Sequence, residues 1–135
     1  AIRRCAGVVD LLEKGKITVL RCGLHPSEGL LTGRDILAGP FHESFGQMVA
    51  TYRYGKLLTG FLKKEKARAA IKNILFNPLD AADVIGYKRV NAGYLEALLK
   101  RDKVFRVSAC VEPKSVIVEY ADGSRRTLNV NGEKR

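Results

Sequence analysis

Two groups of residues in this chain are of types suited to chemistry. The first comprises His25, Ser27 and Glu28, with His42, Glu43 and Ser44 following after a glycine-punctuated loop. Histidine, serine and carboxylate are the parts of an acid–base or nucleophilic centre, but that work depends on hydrogen-bond geometry that spacing alone does not supply. The two histidines also lack the local ligand spacing of a metal site, so no metal is expected. The second group is the tetrapeptide Gly86-Tyr87-Lys88-Arg89. A glycine permits a sharp turn, and a helix starting directly after it presents free amide N–H groups. Lys88 and Arg89 add positive charge, and Tyr87 offers a face on which a nucleic-acid base can stack. The plainer alternative makes Gly86 a helix stop, Lys88 and Arg89 ordinary exposed charges, and Tyr87 a packing residue. Gly29, Gly33 and Gly39 match neither a P-loop nor a dinucleotide-binding fingerprint.

The elements that must position these residues follow from periodicity. Ile2, Cys5, Ala6, Val9 and Leu12 recur at helical spacing and Gly15 is a stop, which predicts a helix over 2–14. Residues 17–24 form an apolar, β-branched run of the kind buried on both faces of a parallel sheet. His25 then falls at the carboxyl end of a strand, where α/β folds place their sites. Phe41, Phe45, Met48, Val49 and Tyr52 predict a helix to about residue 54. A kink or break is expected beyond it, because Gly55 and Gly60 each disfavour helix by about 1 kcal/mol relative to alanine. The charge run 63–68 reads as the seam between two halves.

After the seam, 71–76 reads as a strand, and Asn77-Pro78 as a cap and first-turn proline for a helix over 78–85. A helix over 90–101 should place Val90, Tyr94, Ala97 and Leu98 on one face. The remainder is β: runs at 104–111, 115–120 and 125–130, with Asp122-Gly123 as a hairpin signal, and a tail from 131 to 135. The expected fold class is mixed α+β: the last α/β units of a partial barrel over 1–62, then a small KH-like βααβ-β module with a C-terminal hairpin over 63–135. The KH reading rests on the order strand, helix, Gly86-bearing loop, helix, strand, in which a tight loop clamps a nucleic-acid backbone. A KH loop has a glycine at each end, whereas Arg89 stands at the second position here.

Composition narrows the function classes. With 46% apolar residues the chain has enough material for a core, and the net charge of +10 makes nucleic acid or another polyanion a suitable partner. Residues 1–62 hold eight cations and five anions, and 63–135 hold sixteen and nine, so the excess is mostly C-terminal. Arg125, Arg126 and Lys72 are placed to widen a basic face. The three cysteines, Cys5, Cys22 and Cys110, are odd in number and widely spaced, which argues for buried thiols and against a disulfide framework. No run is long enough to cross a bilayer and no signal-peptide pattern opens the chain, so a cytoplasmic location without membrane contact is expected.

Two stretches carry a family resemblance. Residues 20–28, Leu-Arg-Cys-Gly-Leu-His-Pro-Ser-Glu, with Ala38-Gly39-Pro40-Phe41-His42 and Phe45-Gly46, resemble the end of the radical SAM barrel in bacterial proteins similar to Elongator's catalytic subunit. These are often described as oxygen-independent coproporphyrinogen oxidase-like. Asn77-Pro78-Leu79-Asp80 and residues 84–91 are similar to their C-terminal extension. The resemblance implies an intact enzyme with S-adenosylmethionine and a [4Fe–4S] cluster held by a Cys-x3-Cys-x2-Cys motif. That motif is not in this sequence, so neither cofactor is expected here and the ligands would come from an N-terminal radical SAM core. It further implies that this chain does not catalyse alone, that His25 and His42 lie on the substrate or cofactor face, and that the basic module docks substrate, with RNA (a tRNA) as the candidate. The residues themselves leave open a freestanding KH-like RNA-binding module and a structural lid without nucleic-acid contact.

Overall fold

An amphipathic helix opens the chain because its apolar residues fall on one stripe. In the computed structural model, which describes residues 1–39 and 41–132, α1 spans Ile2–Lys14. Ala6 and Val9 are buried against Val49, and Ile2 and Cys5 pack beside them. The amide of Gly15 returns to the Leu11 carbonyl and ends the helix.

Residues 17–24 do not form the predicted strand. An apolar, β-branched run becomes a strand only where a neighbour takes up its backbone groups, and all four strands of the sheet lie elsewhere in the sequence. Val19 and Cys22 turn toward α1 and the following long helix. Ile17, Leu20 and Leu24 remain exposed. His25 is therefore not at a strand end. The loop beyond it contains one short helix, α2 (Glu28–Leu31), capped where the Ser27 hydroxyl accepts from the Leu30 amide at 3.3 Å.

Helix α3 runs unbroken over Phe45–Lys64. It starts later than the spacing from Phe41 suggests and passes through both Gly55 and Gly60 without the expected break. Burial outweighs two glycine penalties of about 1 kcal/mol each: Tyr54, Leu58 and Leu62 are all buried on one side, while Val49 is buried on the other. The charge run divides between the exposed last turn of α3 (Lys63 and Lys64) and a 3-10 turn at Arg68–Ala70. Glu65 closes the helix by accepting from the Tyr120 hydroxyl at 2.5 Å and from the Ala67 amide at 2.9 Å.

The rest is a four-stranded mixed sheet with helices on one face. Strands β1 (Ile71–Phe76), β2 (Phe105–Val107), β3 (Ser115–Tyr120) and β4 (Arg125–Asn129) lie in the order β2-β1-β3-β4. β2 is parallel to β1, β3 antiparallel to β1, and β4 antiparallel to β3. Asn77 caps as expected: its Oδ1 accepts from the Leu79 amide and its Nδ2 donates to the Val111 carbonyl. A 3-10 turn over Pro78–Asp80 precedes α4 (Ala81–Ile85), and α5 follows over Val90–Leu99. β2 is shorter than the predicted 104–111 run, and the Asp122-Gly123 turn is present with Gly123 at φ 87°. The predicted tail lies within the described residues only at 131–132; residues 133–135 fall outside them. Ile71, Ile74, Phe76, Val84, Leu95, Val104, Val116 and Val118 meet α3 in one core.

Of the cysteines, Cys5 and Cys22 are half-buried and Cys110 is exposed, which corrects the expectation of three buried thiols. Cys110 lies in the turns that follow the short β2, outside any packed element.

A charged tie joins α1, α3 and the end of the sheet. Arg53 donates to Asp10 at 2.7 Å, to Glu13 at 2.8 Å and to Asn131 at 3.1 Å, and Lys114 reaches Glu13 at 2.8 Å. Burial opposes the Glu13 charge, but Arg53 and Lys114 outweigh it and hold its carboxyl below the ordinary value of 4.5. A carboxylate lowered in the fold contributes stability that is present above its unfolded value and lost as pH falls through the folded one. Urea midpoints should therefore drop as pH goes below about 4.5. Arg53→Met, which leaves Glu13 without its buried partner, should cost about 3 kcal/mol at neutral pH and flatten that acid limb. A steep acid limb that persists in the variant would assign it to other groups.

Candidate nucleic-acid interface

Helix α4 ends at Ile85 because the chain turns there into conformations that only glycine takes freely. Gly86 has φ 93° and ψ 157°, and a Cβ on it would stand 2.9 Å from the Asn91 amide nitrogen and 3.0 Å from the Thr51 methyl. Both backbone and space require glycine. Lys88 (φ 53°) and Arg89 (φ 60°) then adopt left-handed conformations, each costing a non-glycine residue about 1 kcal/mol. Arg89 thus takes a glycine-like backbone while keeping its side chain.

The corner is tied down from several sides. The Tyr87 amide donates to the Thr51 hydroxyl at 3.0 Å, and the Arg89 amide donates to the Gly86 carbonyl at 2.9 Å. Buried Asn91 donates through Nδ2 to the Thr51 carbonyl at 2.9 Å and to the Asp83 carbonyl at 3.4 Å. Behind it, burial first and then the charge of Asp80 push the Asp83 carboxyl above its ordinary value.

The side chains of the tetrapeptide separate. Lys88 Nζ lies 5.5 Å from the Tyr87 ring centroid, and the His42 ring meets Tyr87 edge-on at 5.7 Å between centroids. His42 is fixed by the Ser44 amide, which donates to its Nδ1 at 3.0 Å. Arg89 turns along α5 and pairs with Glu96 at 3.6 Å. The structure thus joins His42 to Tyr87 and Lys88, and leaves His25 apart, where Arg21 Nη2 lies 2.9 Å from its Nδ1. Neither arginine of the hairpin lines this corner: Arg125 pairs with Glu119 at 2.8 Å, and Arg126 stacks over Phe61 at 5.4 Å.

Between α3 and α5 runs a groove of about 770 Å³, lined by Tyr52, Lys56, Tyr87, Lys88, Val90 and Tyr94 among others. Val90 and Tyr94 are 56% and 53% exposed. Of the residues expected on one face of α5, Leu98 packs against the core while Val90 and Tyr94 form part of the groove wall, and Asn91, Ala92 and Leu95 are the buried ones. Sequence reading did not find Lys56, Tyr94 or Thr51 as site residues. The available signal was three tyrosines at 52, 87 and 94, of which Tyr87 stands beside Lys88 and Tyr52 one turn before Lys56.

The polar set around the two histidines does not assemble. Ser27 is a helix cap, and among the described residues no hydrogen bond joins a serine hydroxyl to either histidine. A second hollow of about 600 Å³, lined by Arg21, Cys22 and Glu43, lies between residues 20–24 and the start of α3. No three His, Cys, Asp or Glu side chains among the described residues are grouped to hold a metal ion, so these residues do not fit a [4Fe–4S] cluster. No helix among them is long and apolar enough to cross a membrane.

Fold and site together define a mixed α+β domain with a basic, tyrosine-lined groove. Compared with protein-family models, with curated proteins and with solved structures, the chain matches none.

The backbone of the corner makes two substitutions diagnostic. Gly86→Ala should lower the unfolding free energy by about 2 kcal/mol, from an unfavourable φ and contact with the Asn91 backbone. Arg89→Gly should raise it by about 0.5 kcal/mol, since relief of left-handed strain exceeds glycine's entropy cost. Urea denaturation measures both, and a destabilised Arg89→Gly would show that the arginine side chain holds the corner.

Proposed function

We propose that the chain is the substrate-docking portion of a cytoplasmic radical SAM enzyme of the Elongator-like kind, and that its groove takes unpaired RNA. The observation that carries the RNA reading is the groove itself, with Tyr52, Tyr87 and Tyr94 beside Lys56 and Lys88. Base faces stack on tyrosine whatever the sequence, and lysines neutralise the phosphates between them. A duplex keeps its base faces covered, so the groove favours single strands. The C-terminal charge excess adds attraction over a longer range.

The KH-like reading is supported by the order β1, α4, Gly86 corner, α5, β2. What supports the enzyme assignment is the resemblance of residues 20–28, 38–42, 45–46, 77–80 and 84–91. In this reading α1, residues 17–24 and α3 complete a barrel wall, and the partner is an N-terminal radical SAM core. That core supplies the cluster and S-adenosylmethionine, and this chain supplies binding. Its own side chains bind and orient: the tyrosines hold bases, Lys88 holds a phosphate, and His42 braces the Tyr87 ring edge-on.

Fluorescence anisotropy with a labelled single-stranded RNA tests the reading. Two neutralised phosphates should give a log–log salt slope of about −1.4. Tyr94→Ala should weaken binding by about 1–3 kcal/mol, and a duplex of the same sequence should bind less well. Weak, salt-independent binding indifferent to Tyr94 would instead make the module a lid that packs on the barrel without touching nucleic acid.

A further inference from the structure

Positive φ values at Lys88 and Arg89 do not persist unaided. Lysine and arginine relax to the right-handed region unless their surroundings over-determine the left-handed one. The restraint comes from α3, across the fold. Thr51, 5% exposed, uses its hydroxyl to accept from the Tyr87 amide and its carbonyl to accept from Asn91 Nδ2. One buried helical residue therefore grips the corner on both sides of Lys88 and Arg89. Gly55, one turn further along α3, makes room: a Cβ there would stand 2.5 Å from Asn91 Oδ1.

The geometry points to Thr51, acting with Asn91, as the residue that positions Lys88 at the mouth of the groove. It fixes the Gly86–Tyr87 peptide before Lys88 and the Asn91 side chain after it, so that the ammonium stands beside the Tyr87 ring rather than sweeping through solvent. What Lys88 then touches rests on the RNA-docking reading; the restraint itself does not. Thr51 lines the groove but is 5% exposed, with its hydroxyl taken up by the Tyr87 amide, so its contribution to the salt slope passes through Lys88.

The test is a salt series of anisotropy titrations with labelled single-stranded RNA, each variant first checked by thermal melting. Lys88→Ala should weaken binding about two- to fivefold, as for one screened charge contact, and reduce the slope by about 0.7. Thr51→Val keeps the volume but removes the acceptor, and should reproduce that slope loss. The double variant should bind no more weakly than Lys88→Ala alone, and Thr51→Ser should restore the wild-type slope. A purely structural threonine would lower the melting temperature and leave the slope intact. A wild-type slope in Thr51→Val, or losses that simply multiply in the double variant, overturns the inference while docking stands. A wild-type slope in Lys88→Ala overturns both the inference and the assignment of Lys88 to phosphate. Should Thr51→Val not fold, Gly55→Ala displaces Asn91 from the α3 side with a residue that favours helix. It should show the same slope loss, and a wild-type slope there overturns the inference.

Discussion

Helix α3 must bury Val49 toward α1 while burying Tyr54, Leu58 and Leu62 toward the sheet. A helix shared by two layers cannot bend in its middle without uncovering one of them. The cost of Gly55 and Gly60 in the helix is a few kcal/mol at most, whereas each buried large side chain contributes about 2 kcal/mol. Straightness wins, and the sheet, α1 and the Gly86 corner are all placed by contact with this one rod. The Arg53 tie works at the same junction, since it holds α1, α3 and Asn131 with charges that have little access to water.

The corner is the converse case, a segment whose own preferences are overruled. Two left-handed residues with long cationic side chains are unfavourable locally and exist because Thr51 and Asn91 satisfy the backbone in that shape. Arg89 and Lys88 have nearly the same backbone conformation yet different fates. Arg89 is drawn along α5 to Glu96, while Lys88 stays beside Tyr87 on the groove. A basic dipeptide in a sequence thus need not be a pair in space.

Local signals in the sequence were reliable where the structure they specify is also local. Gly15 ends α1, Asn77 caps the turn after β1, and Asp122-Gly123 reverses the chain, each through bonds within a few residues. Residues 17–24 have the composition of a strand, but pairing is a property of neighbours, and no strand among the described residues pairs with them. Spacing places Val90 and Tyr94 on one face but does not say what that face meets, because an apolar i, i+4 pair has the same spacing whether it faces a core or a groove. The site was legible at Gly86, where glycine punctuates the chain. It was not legible at Thr51 or at the His42–Tyr87 contact, which join residues far apart in sequence.

The spacing of contacts along α3 has a consequence for how this chain can change. Val49 and Arg53 serve α1, Thr51 and Gly55 serve the corner, and Tyr54, Leu58 and Leu62 serve the sheet, each set repeating at i+4. Since every residue advances the helix by about 100°, these sets are indexed by rotational phase. Adding or removing one residue between Arg53 and Leu58 would leave every side chain chemically intact and turn the later contacts out of phase with the earlier ones. The length of α3 is therefore as tightly specified as any side chain on it, and substitution is a far gentler change there than insertion.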